Sequence, residues 1–136
     1  MSILAAAPTG SVLHQLNYGN GNVDIPQLLA HIRSDLHPGQ LAFVDDTSTQ
    51  ILGISAGYGA GKTRALCAKA VMLAAANQGF IGAVMEPTGP LIRDIWQNDF
   101  EQFLENYEIP YTFRASPLPE YMLHLPVGDT KILCRS

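Results

Sequence analysis

From Ala56 to Thr63 the chain reads Ala-Gly-Tyr-Gly-Ala-Gly-Lys-Thr, a glycine-rich turn closed by a lysine and a threonine. Those residue types in that order suit a polyphosphate. Gly57, Gly59 and Gly61 let the backbone curl with its N–H groups inward, around anionic oxygens that a Cβ would obstruct. Lys62 adds a cation to that cradle. Thr63 falls at the mouth of the following helix, where its hydroxyl can ligate Mg²⁺ and the helix N-terminus adds partial positive charge. Ala56 stands where the general pattern has glycine, at the loop's entrance and before the phosphate-facing glycines. A ligand-free turn between a strand and a helix is the alternative reading; an apolar strand entering from Ile51 and a long helix leaving through Lys62 favour the phosphate loop.

The elements that must position this loop follow from periodicity and punctuation. Residues 1–22 mix glycine, proline and asparagine and read as an irregular lead-in, leaving 23–136 as the body of the domain. Asp24 is a candidate N-cap, with Pro26 in the first turn and Ile25, Leu28, Leu29, Ile32 and Leu36 along one helical face. His37-Pro38-Gly39-Gln40 breaks that helix, and residues 41–44 form a second short one before the Asp45-Asp46-Thr47-Ser48-Thr49 turn. The amide of Gln40 carries donors and an acceptor and can pair with the N6 and N7 edge of adenine if the fold brings it beside the loop. Taken alone, it reads more simply as a solvated loop residue.

After the loop, residues 62–78 are apolar on most of their circumference, with Gly79 as the C-cap. Residues 80–85 read as a buried parallel strand, completing a βαβ unit with the phosphate loop at its first turn. Pro90 opens a helix through Asn106 whose apolar face is Leu91, Ile92, Ile95, Trp96, Phe100, Phe103 and Leu104. Glu86, at the end of the strand before it, is not read as a Mg²⁺-holding acid. From Ile109 the period becomes two, giving strands at 111–114, 121–125 and 131–134, the last two a hairpin.

The totals exclude several classes. The 136 residues suffice for one domain, and 8 basic against 12 acidic side chains, a net charge of −4, do not draw the chain to nucleic acid or anionic membranes. Cys67 and Cys134 belong to no Cys-x-x-Cys pair and read as buried free thiols. His14, His31, His37 and His124 have no metal-ligand spacing, and no Ser-His-Asp set is visible. The opening Met1-Ser2-Ile3-Leu4-Ala5-Ala6-Ala7 is too short and lacks the basic start of a signal peptide, and no run reaches membrane-spanning length. The expectation is a soluble cytoplasmic protein.

Taken in order, His37-Pro38-Gly39-Gln40, Ala56-Gly57-Tyr58-Gly59-Ala60-Gly61-Lys62-Thr63, and Glu86-Pro87-Thr88 leading into Leu91-Ile92-Arg93-Asp94 resemble the N-terminal ATPase domain of the phage terminase large subunit, the DNA-packaging motor of tailed bacteriophages. The resemblance covers about residue 37 to the end, and Ala56 fits it. It implies a P-loop NTPase of the RecA-like (ASCE) type, a three-layer α/β sandwich with a mostly parallel sheet, present here as an incomplete fragment.

It also implies that Gln40 contacts adenine, that Lys62 serves phosphate and catalysis, that Thr63 holds Mg²⁺, and that residues 56–63 bind ATP. The implied partners are double-stranded DNA, a portal protein, a terminase small subunit and further copies in a ring, in the host cytoplasm and with no membrane. Tyr58 stands where many members carry a loop arginine. The strand at 131–134 resembles the one preceding the acidic Walker B strand, so the chain is expected to end before that strand, the coupling motif and the nuclease domain. A RecA-like helicase or other DNA translocase, and a non-catalytic nucleotide-binding assembly module, are the competing readings.

Overall fold

The computed structural model describes the backbone of Ser2–Ala5 and residues 23–136. Asp24 caps the first helix, α1 (Ile25–Ser34), accepting a 3.1 Å hydrogen bond from the Gln27 amide, and α1 buries Leu28 and Ile32. The His37-Pro38-Gly39-Gln40 stretch does separate two helices, but it starts the second one. His37 is the N-cap of α2 (Pro38–Asp45) and Pro38 lies in its first turn, where a missing N–H is harmless.

Helix α3 (Lys62–Ala76) is buried over much of its circumference, as its composition requires, through Ala65, Cys67, Ala68, Ala70, Val71, Ala74 and Ala75. Strand β2 (Ile81–Met85) follows. The expected long helix is present in three pieces: α4 (Gly89–Leu91), a π-helical segment Ile92–Gln97, and α5 (Asn98–Asn106). The wider turn changes which side chains face inward. Ile92, Trp96 and Phe100 are buried, whereas Ile95, expected on the apolar face, is 42% exposed.

Strands β3 (Tyr111–Arg114), β4 (Glu120–Leu123) and β5 (Thr130–Arg135) form an antiparallel meander, with β1 (Ser2–Ala5) at the other edge of the sheet. Among the described residues the order is β1-β2-β5-β4-β3, and only β2 and β5 are parallel. The fold is therefore mixed α/β, and the expectation of a mostly parallel sheet is corrected. The period-two texture after Ile109 is the reason: alternating strands with one covered face pair through short antiparallel turns.

Two further expectations change. Residues 51–57 form no strand, and Ile51 is 91% exposed. Both edges of β2 are taken, by β1 on one side and β5 on the other, so the run before the loop has no edge of β2 to join and the βαβ unit lacks its first strand. Ser2–Ala5, placed in the irregular lead-in, is that competing strand; residues 6–22 lie outside the described residues.

The core lies on one face of the sheet. Val84, Tyr121, Leu123, Ile132 and Cys134 point to it, and the pairings Val84 with Cys134 and Tyr121 with Ile132 align them across strands. Trp96 stacks on Phe100 at 4.5 Å, and Phe100 meets Tyr121 edge-on at 5.2 Å, which seats the helical layer on the strands. The opposite face carries Met122, Leu133 and the ion pairs from Glu120 to Arg114 and Lys131. Among the described residues this makes two layers, where three were expected.

Both cysteines are buried free thiols, as expected. Burial pushes the Cys134 thiol up to about 11, opposed by the neighbouring Trp96 indole, and pushes Cys67 higher still. No helix among the described residues is long and apolar enough to cross a membrane.

Candidate functional site

The loop lies at the head of α3. Gly59 and Gly61 adopt left-handed backbone at φ 76° and 81°, where a side chain would be strained. Ala56, Gly57, Tyr58, Gly59 and Ala60 are exposed, and Tyr58 is at full exposure on the tip. A turn is closed by the Ala60 N–H donating to the Gly57 carbonyl at 3.3 Å.

Lys62 curls back over this turn. Its Nζ donates to the Ala56 carbonyl at 2.6 Å and the Gly57 carbonyl at 2.9 Å, which places the cation above the loop. No side chain caps α3, whose N-cap is Gly61, so the helix offers its first N–H groups and the positive end of its dipole at this point. Thr63 is half-buried in the first turn. The donor set is one amino group, exposed glycine backbone and an uncapped helix terminus, and it fits the oxygens of a polyphosphate. For a metal, the protein's own contribution at this point is the Thr63 hydroxyl; no cluster of three or more His, Cys, Asp or Glu suited to a metal occurs among the described residues.

The fold does bring Gln40 beside the loop, and it is not solvated: it is 4% exposed. Its Nε2 donates to the Gly61 carbonyl at 3.0 Å, while its Oε1 accepts from the His37 N–H at 3.0 Å. His37 completes a capping box by accepting the Gln40 N–H on Nδ1 at 3.3 Å. With Nδ1 accepting, the neutral ring carries its proton on Nε2, which donates to the Ala60 carbonyl at 3.3 Å. The N-terminus of α2 thus grips the last two loop residues before Lys62.

Four further residues that set the loop's surroundings carry no distinctive sequence motif. Lys69, only 9% exposed, donates to the carbonyls of Phe43, Val44 and Asp46 at 3.3, 3.0 and 2.6 Å, so a residue of α3 closes the C-terminal end of α2. Burial lowers its pKa, opposed by Asp46 and Asp45. On another side, Arg64 donates to the Tyr107 hydroxyl at 3.1 Å, and that hydroxyl donates to Asp35 at 2.6 Å, tying the first turn of α3 to the end of α1 and the turn after α5. Burial and the Asp35 carboxylate both raise the phenol's pKa. A lysine at an apolar helix position is the one available signal for Lys69; the other contacts join residues far apart in the chain.

The remaining sequence candidates resolve simply. Asp45 pairs with Arg33, and Asp46 accepts from the amides and hydroxyls of Ser48 and Thr49, which makes it a turn residue. Of the described histidines, His124 sits between Thr112, at 2.6 Å from Nε2, and Asp129, at 3.1 Å from Nδ1, where it fastens the ends of β3 and β4 to the β4–β5 turn. His14 lies outside the described residues. Concavities of about 650 Å³ beside His31 and Tyr107, and about 320 Å³ beside Arg64 and Asp99, are not lined by residues 56–63, so the loop lies outside both.

The class that fold and site define is a mixed α/β protein with an exposed, glycine-rich, lysine-bearing loop at the head of a buried helix. No family model, curated protein or solved structure matches the chain.

Proposed function

We propose that residues 56–63 hold the polyphosphate of a nucleoside triphosphate, ATP in the leading reading, and that the chain is the nucleotide-binding part of an ATPase that packages double-stranded viral DNA. The observation that carries the nucleotide reading is the Lys62 amino group, 2.6 and 2.9 Å from the carbonyls of Ala56 and Gly57, above a loop whose Gly59 and Gly61 are left-handed. A cation already placed there needs only to exchange carbonyl partners for phosphate oxygens, and the uncapped N-terminus of α3 supplies further donors. The packaging assignment is supported by the ordered resemblance of the 37–40, 56–63 and 86–94 segments to the terminase large subunit.

Under this reading the Thr63 hydroxyl is the protein's ligand for Mg²⁺, a cation that would neutralise charge on the β- and γ-oxygens when bound. Lys62 stabilises negative charge on the transferring group. Partners under the same proposal are double-stranded DNA, a portal protein, a terminase small subunit and further copies in a ring, in the host cytoplasm.

The test is isothermal titration of the chain with Mg²⁺-ATP beside Lys62→Ala, with phosphate release followed in the same samples to separate holding from hydrolysis. Binding by the unmodified chain that is lost in the variant is the expected result. A folded, unmodified chain that binds no nucleotide, or a variant that binds equally well, would overturn the proposal.

A further inference from the structure

We infer that Gln40 is a positioning residue for the loop and does not read the nucleotide base, so that the site takes up polyphosphate with little discrimination among purines. The first ground is the use already made of its amide. Nε2 is held on the Gly61 carbonyl and Oε1 on the His37 N–H, and the group is 4% exposed. Pairing with a base edge requires a donor and an acceptor on one amide to be presented together. Here one N–H and the oxygen of that amide are already bonded to two backbone groups in a side chain that is 4% exposed, and turning it toward a base would open the capping box of α2 and leave the Gly61 carbonyl without this donor.

The second ground is steric. A Cβ built on Gly61 would come within 2.4 Å of Gln40 Nε2, so the glutamine closes directly on the loop backbone. His37 repeats the grip one residue earlier, at the Ala60 carbonyl. The third ground is where this leads: Gly61 immediately precedes Lys62 and is the N-cap of α3, so the contact sets the peptide from which both the lysine and the helix N–H groups project. Lys69 fastens the other end of α2 to the same helix, which makes α2 a brace anchored at both ends against α3.

The nucleotide arm of this inference rests on the polyphosphate reading above; the loop arm does not. Two variants separate the roles. Gln40→Glu keeps an oxygen to accept the His37 N–H and so preserves the cap, but removes the donor to Gly61. Amide hydrogen exchange of residues 57–63, without ligand, is expected to quicken by about tenfold in it, the size of effect that follows from losing one hydrogen bond. Gln40→Met is uncharged and of similar length, and suits titration with Mg²⁺-ATP, Mg²⁺-GTP and Mg²⁺-tripolyphosphate, the last of which has no base.

The expected result is that the unmodified chain binds ATP and GTP within about threefold of one another, and that Gln40→Met weakens all three probes together by about tenfold. A strong preference for ATP that disappears in Gln40→Met while tripolyphosphate binding is unchanged would overturn the inference, because Gln40 would then be reading adenine. Unchanged exchange in Gln40→Glu would also overturn it. If the unmodified chain binds none of the three probes, the polyphosphate proposal and the base-indifference drawn from it fail, and the exchange experiment still decides whether Gln40 holds the loop.

Discussion

Gln40 and Gly61 are joined across 21 positions of sequence by a 3.0 Å hydrogen bond from side-chain amide to backbone carbonyl, with no room between them for a methyl group. One member is the third residue of a short helix and the other is the left-handed N-cap of a long one. The pair converts a flexible glycine into a defined start for α3.

Gly61→Ala should destabilise the protein through two separable causes. A left-handed alanine costs about 1–2 kcal/mol, and the new Cβ displaces the Gln40 amide. In the Gln40→Ala background the second cause vanishes, so the same substitution is expected to cost less there. A double-mutant cycle from urea denaturation measures the difference; equal costs in the two backgrounds would contradict the close contact.

Lys69→Met should be destabilising although methionine fits an apolar helix face. The substitution leaves the carbonyls of Phe43, Val44 and Asp46 without their shared donor, and buried acceptors left unpaired cost about 1–3 kcal/mol. Urea denaturation checks the magnitude. A variant as stable as the parent would mean that the end of α2 frays without consequence.

Asp46 makes stability depend on pH at the acid end. The hydrogen bonds from Thr49 and Ser48 hold its carboxyl at about 2, against 3.8 for the ordinary side chain. Because the folded-state value is the lower one, the contribution is fully present above about pH 4 and is lost as pH falls through about 2. Thermal melts of the parent and Asp46→Asn across that interval should therefore converge as the solution is acidified. A constant difference between them would rule the carboxylate out as the source.

Trp96→Ala tests the aromatic seat of the helices on the sheet. Trp96 is fully buried and stacks on Phe100, which in turn meets Tyr121 on β4. Truncating a buried tryptophan costs about 3–5 kcal/mol. Near-ultraviolet circular dichroism with urea denaturation is the measurement, and a loss below about 1 kcal/mol would show that the cluster repacks freely.

Much of the helical content is legible in the amino-acid sequence. Asp24 and Pro26 mark the start of α1, and the alanine-rich run after Lys62 marks α3 as covered on several sides. These signals are local, each depending on contacts within a few residues. The sheet is harder to read. The apolar run from Ile51 has the composition of a strand, yet strand formation needs a free neighbouring edge, and β1 and β5 occupy both edges of β2. The π-helical turn at Ile92–Gln97, which turns Ile95 outward, is likewise invisible to a period of 3.6.

The same division runs through the candidate site. Sequence by itself determined the glycine-rich loop with its lysine and threonine at the head of a helix, because backbone freedom and charge are intrinsic to consecutive residue types, whereas the structure decided that Gly59 and Gly61, and not Gly57, take the left-handed conformation. Only the tertiary structure decided what surrounds it: that Gln40 is buried against Gly61, that Lys69 closes α2, and that Arg64 reaches Tyr107 and Asp35. Those contacts join segments tens of residues apart, and no local propensity encodes a hydrogen bond whose partner is chosen by packing.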